Sequence, residues 1–297
     1  MKSIVVTTPA TTSNLGAGFD CFGMALRLYN RVEFAPGSWR VEVRGEGEGE
    51  LPTGRTSLLF QAAARVFRRA RRPMPRLDAR CVNRVPVSRG LGSSATAIVA
   101  GLLGANAMLG ERFTRQELLL LGLQIEPHPD NLAPCLFGGL VAAVKADDGV
   151  TVAPIRVPRR IGVVVAVPEQ RVSTERARGL LPRYVSMENA VFNLSRSALF
   201  VAACEQDRLD WIREATQDRL HALFRAEVVP GAMAAIQPFD GVLASTVSGS
   251  GSSLLYLVEG DASRAVPRIE RHLARCGLVA RVLPLGIDRS GARVTRR

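Results

Sequence analysis

The stretch that most restricts the fold of this chain is Arg84–Leu103, RVPVSRGLGSSATAIVAGLL. A glycine-rich turn, Gly90-Leu91-Gly92-Ser93-Ser94, runs straight into an apolar helix of small residues spanning Ser93–Leu109. Gly90 and Gly92 admit backbone torsions and close approaches that a Cβ would block. Successive N–H groups in such a turn form a concave anion site. The helix start adds unsatisfied N–H groups and a partial positive charge. Ser93 and Ser94 can cap the helix and offer hydroxyl oxygens to a phosphate or a metal ion. The turn lacks the lysine of a Walker phosphate loop. Taken by itself, it fits either a backbone cradle for polyphosphate or an ordinary strand–turn–helix with serine caps.

The rest of the chain narrows the choice. Its 297 residues suggest one large domain or two ordinary ones, and 47% hydrophobic with 22% charged residues is a globular composition. The apolar run Ala95–Leu109 is shorter than the roughly 18 residues of a membrane span. The N-terminal MKSIVVTTPA has no signal-peptide core, so the expectations are a cytoplasmic location and no membrane partner. Cys21, Cys81, Cys135, Cys204 and Cys276 show no metal or redox spacing and read as small hydrophobes. His128, His221 and His272 are too scattered for an obvious metal cluster. A net charge of +12 invites a nucleic-acid reading. The charge is almost all arginine, however, and its densest cluster, Phe67–Arg76, ends a helical pattern without interleaved aromatics. That cluster fits a solvated helix end, an anionic-ligand patch or a nucleic-acid face; the first is expected, with no nucleic-acid partner.

Periodicity divides the chain into two mixed halves. Strands are expected at Ile4–Thr7, Arg31–Phe34, Arg40–Val43, Leu77–Val82 and Gly139–Val144, with helices at Ser57–Ala70 and Ser93–Leu109. Thr114-x-x-Glu117 fits a capping box opening a further helix. A boundary is expected near Asp147-Asp148-Gly149, giving domains 1–150 and 151–297. The second half reads strand Ile161–Val167, helices Thr174–Leu181 and Ser186–Cys204, strands Val242–Val247 and Ser253–Val258, helix Ala262–Cys276 and strand Leu278–Leu283. Without the inserted helices this is the split βαβ, or ferredoxin-like, order, so the fold class is α+β.

Three ordered motifs span the chain. Pro9-Ala10-Thr11-Thr12-Ser13-Asn14-Leu15-Gly16-Ala17-Gly18-Phe19-Asp20 is followed by Pro86-x-x-x-Gly90-Leu91-Gly92-Ser93-Ser94-Ala95 and then by Val247-Ser248-Gly249-Ser250-Gly251-Ser252. They resemble the signature motifs of the GHMP kinases (galactokinase, homoserine kinase, mevalonate kinase, phosphomevalonate kinase). Further segments resemble the homoserine kinases in particular. These are Glu126-Pro127-His128-Pro129-Asp130-Asn131-Leu132-Ala133-Pro134, Ser173-Thr174-x-x-Ala177-Arg178, and His221-x-x-x-Arg225 followed by Pro230-Gly231. Pro127, Ala17, Leu223, Ser57 and Ser252-Ser253 depart from the usual residues of those segments.

The resemblance implies a two-domain GHMP kinase fold, with a left-handed βαβ in the N-terminal domain and a ferredoxin-like C-terminal domain. It implies ATP-dependent phosphorylation of L-homoserine, a step toward threonine. ATP would lie on Pro86, Val87, Ser88, Arg89, Gly90, Leu91, Gly92, Ser93, Ser94, Ala95 and Thr96, with Mg2+ on Ser94 and Glu126. Homoserine would meet Asn14, Asp20, Asn131, Thr174, Arg178, Arg225 and Gly249. The two motif arginines suit its carboxylate; Asp20 and Asn14 suit its ammonium group. Asn131 stands where mevalonate kinase-like relatives place an aspartate. An amide cannot take a proton, so it can only orient the hydroxyl. Asn131, Glu126 and Ser94 are the expected catalytic set, with direct attack of the hydroxyl on the γ-phosphate. His128 is expected to be structural, and a homodimer is admitted but not required. Another small hydroxylated substrate, or a ligand-binding relative without catalysis, stays open at this level.

Overall fold

Extended pairing governs the N-terminal motif. β1 (Ile4–Ser13) and β2 (Phe22–Pro36) pair antiparallel from Ile4↔Phe34 to Ser13↔Gly23, with a register shift between Pro9 and Ala10. The computed structural model describes residues 3–147 and 149–296. Both strands outrun the expected segments, because Ala10–Ser13 are themselves paired, with Gly23–Leu26. β3 (Val41–Gly45) lies parallel to β4 (Leu77–Asn83), joined through α1 (Leu58–Arg69) in a βαβ unit. Arg68 and Arg69 end α1 exposed, as a solvated helix end requires, and complement its dipole.

α2 (Ser93–Met108) is buried along most of its length, so its small residues allow tight packing against α1 and the sheet. α3 (Arg115–Leu123) opens with the expected reciprocal capping box between Thr114 and Glu117. α4 (Pro129–Phe137) was not legible in the sequence pattern. Pro129 suits a first helical position, but Pro134 inside the helix disguises the periodicity.

β5 (Leu140–Ala146) and β6 (Gly149–Ile155) form a hairpin that extends the large sheet from the inner end of β2. The expected boundary falls at the tip of this hairpin, where Asp148 lies outside the described residues. A division at residue 150 would cut β6, which stays paired with β5 as far as Ile155.

β7 (Ile161–Pro168) begins the second sheet. It is followed by α5 (Thr174–Gly179), α6 (Met187–Glu205), a 3₁₀ turn at Leu209–Trp211, α7 (Ile212–Ala215), α8 (Ala222–Ala226) and α9 (Ala232–Ala235). β8 (Ala244–Val247), β9 (Leu254–Glu259), α10 (Ala262–Arg275) and β10 (Ala280–Leu285) complete it in the antiparallel order β10-β7-β9-β8. That is the expected ferredoxin-like arrangement. β11 (Arg293–Arg296) then returns to pair with β1, so the C-terminal residues belong to the large sheet.

One apolar core packs α1, α2 and α4 on the large sheet, and another lies beneath α10 and Tyr256. A third joins the two sheets: Phe22, Met24 and Leu26 of β2 cluster with Val163, Val165, Leu255 and Phe200. This shared core holds the two halves against each other and fixes the cleft between them.

Candidate active site

A cavity of about 740 Å³ opens at this junction. Residues from all three motifs line it, together with Glu126, Asp130, Asn131, Thr174 and Arg178. One arm has an apolar wall formed by Val32, Val41, Val43, Leu51, Pro52 and Leu59. The other arm is polar and charged.

The glycine turn lines the same cavity. Gly90 (φ +70°) and Gly92 (φ +66°) are left-handed. A Cβ on Gly90 would stand 2.1 Å from the Ser248 carbonyl oxygen, and one on Gly92 would stand 1.9 Å from Thr11 Oγ1. Both positions are therefore closed to any side chain, and the turn is pinned between the first and third motifs. Gly92 itself is the N-cap of α2, with no side-chain cap hydrogen bond. The expected serine cap is absent. Ser94 is instead free to reach Glu126, and its hydroxyl donates to Oε2 at 2.5 Å. Val87 through Ser94 and Thr96 line the cavity, whereas Pro86 and Ala95 are buried and do not. Thr96 anchors the helix start, donating to the Ser93 carbonyl and accepting from Asn30. Arg89 turns its Nε to the Pro168 carbonyl at 2.6 Å.

Glu126 follows α3. Burial pushes its carboxyl up, opposed by the Ser94 hydrogen bond and the Arg178 charge. Two hard oxygen donors converging beside an N–H-lined turn fit a magnesium ion, and the excess negative charge of a desolvated carboxylate favours one.

At the polar end, Asp20 and Arg178 form a two-pronged ion pair, with Nη2···Oδ1 at 2.7 Å and Nη1···Oδ2 at 3.1 Å. His128 Nδ1 lies 3.7 Å from Asp20 Oδ2; burial and then Arg178 push the histidine down toward its neutral form. Arg225 is buried and donates from Nη1 to the Gly249 carbonyl at 2.8 Å. Phe19 lies between the two guanidinium groups, 5.8 Å from Arg178 and 5.2 Å from Arg225. The Nε atoms of both arginines are buried without a partner.

Asn14 lines the cavity, as expected of a substrate-facing residue, and also ties the motif loop together. Its Nδ2 donates to the Gly249 carbonyl and its Oδ1 accepts the Asp20 N–H, so it holds the motif loop to the third motif. Buried His221, the N-cap of α8, also holds the motif loop, its Nε2 lying 2.8 Å from the Gly16 carbonyl oxygen. Thr174 is exposed at the first turn of α5 and Gly249 is buried; both line the cavity.

Asn131 sits in the first turn of α4. Thr11 Oγ1 donates to its Oδ1 at 2.8 Å, and its Nδ2 donates to Ser13 Oγ at 3.1 Å. Thr11 and Ser13 were missed by sequence reasoning, although the strand period gave a signal: alternate residues of β1 share one face. Asp130, on which the sequence pattern was silent, is buried and lines the cavity. The structure therefore gathers every expected site residue except Pro86 and Ala95 around one cleft. Among the described residues, no cluster of three or more His, Cys, Asp or Glu could hold a metal, and no helix is long and apolar enough to cross a membrane.

Comparison with known proteins agrees with this geometry. The family described as "GHMP kinases N terminal domain" matches residues 57–139. The homoserine kinase of Moorella thermoacetica is 39% identical, over 97% of this chain and 98% of its own. That of Desulfitobacterium hafniense is 38% identical, over 97% and 99%. Among solved structures, homoserine kinase from Cytophaga hutchinsonii superposes with a TM-score of 0.88 at 26% identity, over 99% of this chain and 98% of its own.

Proposed function

The chain belongs to the homoserine kinase family of the GHMP kinases, ATP-dependent enzymes that phosphorylate a hydroxyl group, and from that premise we propose that it is an ATP:L-homoserine O-phosphotransferase. The single observation that carries the substrate is the charge pattern of the polar arm. An anion, Asp20, and two guanidinium groups, Arg178 and Arg225, stand within one cleft beside the phosphate turn.

An α-amino acid has the complementary charges. Its ammonium would take Asp20, and its carboxylate would take Arg178 and Arg225, whose Nε atoms have no partner. Substrate then replaces one ion pair by two, and no charge is left buried alone. A hydroxy acid without an amino group would separate Arg178 from Asp20 and leave the aspartate uncompensated.

Phosphoryl transfer asks mainly for positioning and charge neutralisation. Adenine suits the apolar arm, and the turn N–H groups with the α2 N-terminus suit the phosphates. Ser94 and Glu126 would hold Mg2+, which supplies positive charge to the phosphate oxygens. Asn131, fixed by Thr11 and Ser13, orients the substrate hydroxyl toward the γ-phosphate. Small-molecule chemistry of this kind suits a cytoplasmic enzyme.

The test is ADP release with purified enzyme and a panel of homoserine, serine, threonine, mevalonate and shikimate. We expect kcat/KM for homoserine to exceed the others by at least about 100-fold, since unpaired buried charges reject the wrong substrate. Equal or better turnover of mevalonate or shikimate would refute the assignment.

A further inference from the structure

One buried ionisable group in the cleft has no part in the scheme above. Asp130 precedes Asn131 at the start of α4, is 3% exposed and faces the cavity. The Ser13 hydroxyl donates to its carboxylate and accepts from Asn131 Nδ2 at 3.1 Å. The same Asn131 nitrogen lies 3.5 Å from Asp130 Oδ1. The amide that orients the substrate hydroxyl, a serine hydroxyl and a buried carboxylate therefore meet at one point.

Other polar groups of the cleft are engaged elsewhere, His128 with Asp20 at 3.7 Å among them. Asn131 cannot be protonated near neutral pH. Glu126 faces Ser94 and the proposed metal position. Asp20 is held in its two-pronged pair with Arg178. We infer that Asp130 is the proton acceptor of the transfer, acting through Ser13; the inference rests on the homoserine kinase reading.

In the step itself, the substrate oxygen forms its bond to the γ-phosphorus while the bond from that phosphorus to the β,γ-bridging oxygen breaks. The electron pair of the broken bond leaves on ADP. The substrate hydroxyl proton passes to Ser13 Oγ, and the Ser13 proton passes to Asp130. Asp130 returns its proton to solvent after product leaves.

The environment suits a base that works near neutrality. Burial, then the charges of Asp20 and Glu126, push the Asp130 carboxyl up to about 7, opposed by the Ser13 hydrogen bond and Arg178. Arg225 also feels its charge, and Cys21 lies close enough to be affected. His128, the N-cap of the same helix, lies 3.7 Å from Asp20.

Asp130→Asn, Asp130→Glu and Ser13→Ala would be assayed with homoserine and Mg-ATP from pH 5.5 to 9, with melting curves for each. A positioned base contributes on the order of 100-fold or more. We therefore expect kcat of D130N to fall about 100-fold with the homoserine KM nearly unchanged. The wild-type kcat/KM should decline below about pH 7, and D130N should lose that limb. D130E should recover part of kcat, and S13A should lower kcat while keeping the acid limb. A folded D130N with wild-type kcat, or one whose defect lies wholly in the homoserine KM, would overturn the inference. So would an S13A enzyme with unchanged kcat, which keeps the test decisive if D130N does not fold. A wild type inactive on homoserine would instead refute the substrate reading.

Discussion

A carboxyl that is costly to ionise should show in stability before it shows in catalysis. In the unfolded chain Asp130 titrates at about 3.9, whereas in the fold burial and the charges of Asp20 and Glu126 push it up to about 7. Between these values the folded state binds the extra proton, so stability falls as pH rises. The full contribution is present below the unfolded value and is lost by the time pH passes the folded one. At about 1.36 kcal/mol per pH unit, the burden is on the order of 1–2 kcal/mol at pH 5 and roughly 4 kcal/mol at pH 8.5. Asparagine has nearly the same shape and no charge, so Asp130→Asn removes the burden. Urea unfolding of both proteins at pH 5, 6, 7 and 8.5, without ligands, measures the difference directly. We expect D130N to be the more stable protein, by a margin that grows over this range. Working with the difference cancels the titrating groups that do not interact with Asp130; Asp20 and Glu126, whose charges act on it, are part of what the difference measures. A margin independent of pH would refute the reasoning, because it would mean that the carboxylate is solvated or already paired. A more stable but slower enzyme is the ordinary trade-off of a strained active site.

Three further outcomes follow from the geometry. Glu126→Gln should lower kcat by about 100-fold and raise the Mg2+ concentration needed for half-maximal ADP release, as expected when charge neutralisation is weakened; full activity at low Mg2+ would remove Glu126 from that role. Arg178→Ala and Arg225→Ala should each raise the homoserine KM at least about 10-fold by removing a carboxylate partner; R225A should also lose about 0.5–1.5 kcal/mol in urea unfolding, since the Gly249 carbonyl loses one of two donors and keeps Asn14. Gly92→Ala should raise the ATP KM and cost about 1–3 kcal/mol from the left-handed backbone, with more from a Cβ that would meet Thr11 Oγ1 at 1.9 Å; an unchanged melting temperature would show that the turn is not pinned.

Local patterns carried much of the fold. The capping box at Thr114 and Glu117, the buried small-residue helix α2 and the strand order of the second sheet all follow from neighbouring residues and periodicity. α4 escaped because Pro134 interrupts its pattern, and the motif segment Ala10–Ser13 proved to be paired strand. The hairpin partner of β5 and the return of β11 to β1 were likewise hidden, since long-range pairing leaves little trace in a single strand.

The sequence, through its resemblance to the GHMP kinases, marked which residues could serve a kinase: a lysine-free glycine turn, a glutamate, a motif asparagine and two arginines set in specific segments. Their chemistry is intrinsic to the side chains, so it is readable without coordinates. Tertiary structure decided their roles. It tied Asn14 to the Gly249 carbonyl and the Asp20 N–H, freed Ser94 from capping to meet Glu126, and paired Asp20 with Arg178. It also buried Asp130 beside Ser13 and Asn131, turning an unremarked residue into a base poised near neutral pH. Burial and the company of charges set a carboxyl's proton affinity, and those belong to the folded arrangement of distant segments rather than to any stretch of sequence.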